Sequence, residues 1–87
     1  MDLGLKGKKA IVCASSRGLG KACAASLARE GVDVVINGLH QNRLDAARSE
    51  IEALGGGEVV TMLADINTEE GRSQLIAACP DADILVN

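Results

Sequence analysis

Apolar positions along this chain alternate between two patterns, short unbroken runs and longer stretches in which they recur at helical spacing. Lys9 to Cys13 is the first run. Leu19 to Glu30 follows with helical spacing and is closed by Gly31, a residue suited to the left-handed conformation of a helix C-cap. Val32 to Ile36 is the second run. Leu44, Ala47, Ile51 and Leu54 then fall on one face of a second helix, with Arg43, Asp45, Arg48 and Glu52 turned outward, until Gly55-Gly56-Gly57 stops it as a tight loop that needs no further account. Glu58 to Ala64 is the third strand. Thr68 is placed to cap a third helix that carries Glu69 and Glu70 in its first turn and Leu75, Ile76 and Cys79 on its inner face, and Pro80 ends it. Asp83 to Asn87, centred on Ile84-Leu85-Val86, is the fourth strand.

The order β-α-β-α-β-α-β implies an α/β fold, with a parallel sheet and right-handed crossovers, and strands this apolar are expected to be buried on both faces. A doubly wound sheet reverses direction at its first strand, so the expected spatial order is 3-2-1-4, with a ligand crevice at the reversal.

Composition narrows this picture. A chain of 87 residues holds one domain and buries only about 60 to 65% of its unfolded surface, so its core is thin. Phe, Tyr and Trp are all absent, which leaves Ala, Val, Ile and Leu to fill the interior and suits residues 1–87 as a single partial domain of a larger unit. The net charge of -3, without a basic cluster, argues against a nucleic-acid partner. No apolar stretch approaches the roughly 20 residues of a membrane span, so no membrane partner and a cytoplasmic location are expected. Cys13, Cys23 and Cys79 lack metal-ligand or disulfide spacing and are read as buried free thiols, with no metal site.

The candidate chemistry lies in Cys13-Ala14-Ser15-Ser16-Arg17-Gly18-Leu19-Gly20, a glycine-containing turn between the first strand and first helix. Free backbone N–H groups and the positive end of a helix dipole favour an anion there, and Gly18 and Gly20 allow close approach. An ordinary strand-to-helix turn is the plain alternative. A P-loop fits poorly, because Ser15 stands where its first glycine belongs and Ala22 has no hydroxyl for Mg²⁺. G-x-G-x-x-G also fails, since Cys23 occupies its third glycine.

The spacing T-G-x-x-x-G-x-G fits better, with Gly18 and Gly20 in place, Ala14 for the first glycine and Cys13 for the threonine. Together with Gly7-Lys8-Lys9-Ala10, Leu27-Ala28 to Gly31, Asp65-Ile66 and Asp83-Ile84-Leu85-Val86-Asn87, it makes the chain resemble the short-chain dehydrogenase/reductase family, including its 3-oxoacyl-acyl-carrier-protein reductase-like members. The resemblance implies a partial Rossmann-like fold. It also implies that Ala14, Ser15, Ser16, Arg17, Gly18, Leu19 and Gly20 line the cofactor phosphates, that Asp65 accepts a hydrogen bond from the adenine amino group, that Ile66 packs beside the ring, and that Asn87 lies near the ribose. Taken singly, Asp65 also reads as a turn cap, Ile66 as core and Asn87 as a terminus.

Residues Gly38-Leu39-His40 end the second strand without the carboxylate that binds the 2′-hydroxyl of NAD. Arg17 matches a position where the family often binds the 2′-phosphate, so NADP is the expected cofactor, with NAD the alternative. Leu39 stands where NADP-using relatives often carry arginine, leaving Arg17, with His40 or Arg43, to bind the phosphate.

Members of the family transfer hydride between the nicotinamide and a carbonyl or alcohol using a Ser-Tyr-Lys set. This sequence contains no tyrosine. The resemblance therefore implies the NADP(H)-binding part of an oxidoreductase, catalytically incomplete by itself and expected to fold poorly alone. Its parent would be a homo-oligomer, binding a small-molecule carbonyl or alcohol substrate, acyl-carrier-protein-linked or sugar-like, outside these residues. A stand-alone, non-catalytic dinucleotide-binding module is the alternative.

Overall fold

The computed structural model describes residues 4–13 and 18–86. Strands β1 (Lys9–Val12), β2 (Asp33–Gly38), β3 (Val59–Leu63) and β4 (Ile84–Val86) alternate with helices α1 (Gly18–Arg29), α2 (Gln41–Glu52) and α3 (Glu69–Ala78). The sheet runs β3-β2-β1-β4 and every pairing is parallel. This is the expected α/β sheet, with its reversal at β1. The register keeps the carboxyl ends flush: Val12 stands opposite both Ile36 and Val86, and Gly38 opposite Leu63.

Alternation along β1 feeds two cores. Ala10 and Val12 pack with Ala24 and Ala28 of α1, Val34 and Ile36 of β2, and Leu44, Ala47 and Ile51 of α2. Ile11 and Cys13 face the other way, against Leu75 of α3 and Cys79 at its C-cap. Each fully buried Val, Leu or Ile contributes about 1.5 to 3 kcal/mol, so the α1/α2 face, with most of the largest buried side chains, carries most of the stability.

Backbone chemistry sets the helix ends. At the close of α1, the Gly31 N–H donates to Ala28 O at 2.9 Å and the Val32 N–H to Leu27 O at 3.1 Å, with Gly31 at φ +85°. That is a Schellman cap with the glycine where the sequence places it. The Gly55-Gly56-Gly57 run proves more than a loop. The Gly57 N–H donates to Ala28 O at 3.0 Å, and a Cβ on Gly56 or Gly57 would run into the carbonyls of Ala28 or Val32. These glycines let the chain after α2 lie directly on the α1–β2 turn.

The structure corrects four expectations. Burial on both faces holds for the central strands β1 and β2, whereas the outer strands expose Val60 (44%) and Leu85 (62%), because α3 alone covers that side. Ile76 is 64% exposed: the buried seam of α3 is Gly71, Leu75 and Cys79, and Ile76 lies one residue round from it. Leu54 is exposed because α2 ends at Glu52, before it. Cys23 is only half-buried, between the buried positions Ala24 and Ala28 and the outer face of α1. Among the described residues no helix is long and apolar enough to cross a membrane.

Candidate functional site

Because the strands are parallel and flush, Gly18, Leu39 and Asp65 all follow the carboxyl ends of their strands and lie along one edge. The three turns there differ chemically. At the first, the Cys13 N–H donates to Val86 O at 2.9 Å, closing the β1–β4 ladder. Burial pushes the Cys13 thiol above its ordinary pKa, so it stays neutral beside the turn. Helix α1 opens on exposed Gly18 at φ +68°, where a Cβ would meet nothing within 4 Å. Glycine is favoured there by backbone conformation alone. No acidic residue occupies the first turn of α1, Gly20 is half-buried, and Leu19 stands 91% exposed. Ala14, Ser15, Ser16, Arg17 and Asn87 lie outside the described residues.

The second turn joins β2 to α2. Leu39 and His40 are both exposed. His40 is the N-cap, with extended backbone (φ -129°, ψ 112°) and no side-chain cap bond, and the first turn of α2 is also free of acidic residues. Arg43 is exposed within that turn. Helix α2 therefore starts without a carboxylate or an N-cap side-chain bond, although Asn42 Oδ1 accepts the Arg43 N–H at 3.0 Å within its first turn.

The third turn is closed upon itself. Half-buried Asp65 accepts the Asn67 N–H at Oδ1 (2.9 Å), while its carbonyl accepts both the Thr68 N–H (3.1 Å) and the Thr68 hydroxyl (2.8 Å). Thr68 Oγ1 in turn accepts the Gly71 N–H at 3.0 Å, the cap that the sequence indicates. Glu69 and Glu70 fill the first turn of α3. Ile66 is half-buried and packs against the Ile11–Cys13–Leu75 cluster.

Three further residues shape this edge and were not singled out from sequence. Asn37, 1% exposed, donates its side-chain amide to Met62 O (3.1 Å) and Ala64 O (2.9 Å), tying β2 to the segment that delivers Asp65. Gly71 has no room for a side chain, since a Cβ would meet the Asp65 carbonyl. Arg72 donates to Ile66 O at 3.0 Å. An asparagine closing an otherwise apolar run, and a glycine within a helical pattern, were the available signals.

The opposite edge has another character. The Lys9 ammonium pairs with Asp81 at 2.7 Å, Asp83 accepts the Lys9 N–H at 3.0 Å, and Asp33 accepts the Glu58 N–H at 2.9 Å. The hydrogen bond between them pushes Lys9 up and Asp81 down from their ordinary pKa values. A cleft of about 180 Å³ lies there, against Val35 and Cys79. It contains none of the candidate site residues. Among the described residues no group of three or more His, Cys, Asp or Glu is placed to hold a metal ion.

Along the carboxyl edge, α1 and α2 thus start without acidic residues in their first turns, whereas α3 starts from the closed Asp65 turn. Residues 8–87 match the family model described as short chain dehydrogenase. The uncharacterized oxidoreductase YvaG of Bacillus subtilis (strain 168) is 43% identical over the whole chain, which covers 33% of that protein. Glucose 1-dehydrogenase of Gluconobacter oxydans (strain 621H) is 36% identical over 92% of the chain and 32% of its own length. Among solved structures, L-sorbose reductase from Gluconobacter frateurii, complexed with NADPH and L-sorbose, superposes on the whole chain with TM-score 0.93 at 34% identity, over 35% of its own chain. The NADH-dependent reductase A1-R′, complexed with NAD, does so with TM-score 0.87 at 28% identity, over 38% of its own chain. The chain spans about a third of the length of the curated relatives it matches.

Proposed function

The chain belongs to the short-chain dehydrogenase family, and from that premise we propose that residues 1–87 are the NADP(H)-binding portion of a cytoplasmic oxidoreductase acting on a small carbonyl or alcohol compound. The observation that carries the proposal is the acid-free start of α1, opened by left-handed Gly18 at the carboxyl edge where the strand order reverses.

The residues of this edge fit such a cofactor. Backbone N–H groups from Gly18 to Gly20, with Ala14 to Arg17 before them, would take the pyrophosphate. Exposed Leu19 would lie against the bound cofactor, since burying an isolated leucine under a ligand removes apolar surface from water. Asp65 would accept the adenine amino group, Ile66 would pack beside the ring and Asn87 would sit by the ribose. The open end of α2, with Leu39 and His40 and no carboxylate, would accept a 2′-phosphate paired with Arg17. An acidic residue there would repel that phosphate, which is why NADP rather than NAD is the proposed cofactor.

When bound, the nicotinamide donates or accepts the hydride. What these residues do is hold the adenosine and phosphate half of the cofactor. The proton relay and the substrate pocket are assigned to residues outside the 87, consistent with the absence of tyrosine. The sugar-related names of two relatives, glucose 1-dehydrogenase and L-sorbose reductase, put sugar-like carbonyl compounds first among substrates. A homo-oligomeric parent is part of the same reading.

Calorimetric titration of the full-length parent with NADPH and NADH tests the cofactor. The expected result is tighter binding of NADPH, with Arg17→Ala removing most of that preference, roughly tenfold to a hundredfold, and leaving NADH binding little changed. Equal binding of both dinucleotides by the unaltered protein would reject NADP preference. Absence of binding to either would reject the cofactor site.

A further inference from the structure

The segment that delivers Asp65 is held in an unusual way. Its last ladder bond is Ala64 N–H to Gly38 O at 3.2 Å, and beyond that point side chains take over. From the β2 side, the buried Asn37 amide holds the carbonyls of Met62 and Ala64; from the α3 side, Arg72 holds the carbonyl of Ile66. Between them the Asp65 carbonyl is bound twice by Thr68. The carbonyls of residues 62, 64, 65 and 66 are therefore all fixed, while among the described residues the Asp65 carboxylate accepts only at Oδ1, from the Asn67 N–H.

We propose that Asn37 and Arg72 are positioning residues for the nucleobase, fixing the Asp65–Ile66 turn from opposite sides so that the second carboxylate oxygen is preset to accept an exocyclic amino group. This rests on the reading of Asp65 as the adenine acceptor. Without a clamp, each binding event would have to order the turn, and that ordering entropy would be subtracted from the affinity. A polar strut is also costly to bury unless every donor is used, and Asn37 donates from one nitrogen to two carbonyls. Arg72 is exposed, so its bond to Ile66 O is the one contact of the clamp that can be altered without opening the core.

The test compares NADPH with deamino-NADPH, in which a ring carbonyl replaces the amino group, using the full-length parent unaltered and with Arg72→Met or Arg72→Lys. The unaltered protein should prefer NADPH. Arg72→Met should cut that preference roughly threefold to tenfold, by weakening NADPH binding while leaving deamino-NADPH nearly unchanged, and Arg72→Lys should restore part of it. A change in general packing would weaken both nucleotides alike, so an unaltered ratio in Arg72→Met overturns the clamp and leaves the role of Asp65 standing. No preference in the unaltered protein overturns the role of Asp65 and the clamp with it.

Discussion

Helices α1 and α3 begin at the same edge of the same sheet, yet their first turns are built to opposite ends. That of α3 is satisfied from within: Thr68 caps Gly71, and Glu69 and Glu70 neutralise the positive end of the dipole. That of α1 carries no acidic side chain, begins on a left-handed glycine and leaves Leu19 in solvent. A helix end that serves stability alone tends to be completed by its own residues. Among the described residues the first turn of α1 lacks the acidic groups that fill that of α3, and it is there that the proposed function puts the phosphates, with Asp65 at the closed end of α3 as the proposed acceptor for the base. In the proposed reading the edge is graded, from phosphate at α1 and α2 to the base at α3.

The largest expected effect comes from forcing the closed end apart. Gly71→Val sets a branched side chain against the Asp65 carbonyl and should lower stability by about 2 to 3 kcal/mol in urea denaturation. Tolerance of valine would mean that α3 and the Asp65 turn are not in the contact described. Next is Leu19→Glu, which converts the open end into a copy of the closed one. Stability should rise by about 0.3 to 1 kcal/mol from the dipole, while NADPH affinity falls by about tenfold or more. Opposite signs in the two measurements are the signature; a parallel rise would show that no anion binds at α1.

Thr68→Ala should cost about 1 kcal/mol, through loss of the cap to Gly71, in thermal unfolding followed by circular dichroism. The smallest effect concerns Cys13, beside the open turn. Its folded pKa is raised by burial, so its contribution to stability is present below the ordinary thiol pKa and is lost as pH rises above it. Alkylation by iodoacetamide, read by mass spectrometry, should accordingly leave Cys13 unmodified long after half-buried Cys23 has reacted.

What was legible in the sequence was what depends on periodicity and on residues of special backbone chemistry. The alternation of apolar runs and helical spacing located every element to within about two residues, and the Gly31 and Thr68 caps stand where those residue types require. Less legible was anything set by what lies across the sheet. Ile76 looks inward by spacing, but the seam of α3 runs through Gly71, Leu75 and Cys79, and a glycine in that seam carries no apolar signal. The same holds for Gly56 and Gly57, whose smallness answers to carbonyls more than 20 residues earlier, and for Asn37, whose partners belong to the neighbouring strand. At the candidate site, Gly18 was singled out by the glycine spacing, Leu39 and His40 by their place at the end of the second strand, and Asp65 by the family resemblance, and all four follow strand ends at one edge. Asn37, Gly71 and Arg72, which hold the Asp65 turn in place, act on main-chain groups, so an asparagine in an apolar run and a glycine in a helix mark two of them as unusual without naming their partners.

The central claim is that NADP(H) is held along the carboxyl edge by the open ends of α1 and α2 and by the Asp65 turn. Amide hydrogen exchange of the full-length parent with and without NADPH tests it most directly. The account predicts slowed exchange in Gly18 to Gly20, Leu39 to Arg43 and Asp65 to Ile66, with no change at the opposite edge around Lys9, Glu58 and Asp81. Protection centred on Lys9, Glu58 and Asp81, or none at Gly18 to Gly20 under saturating NADPH, would contradict it.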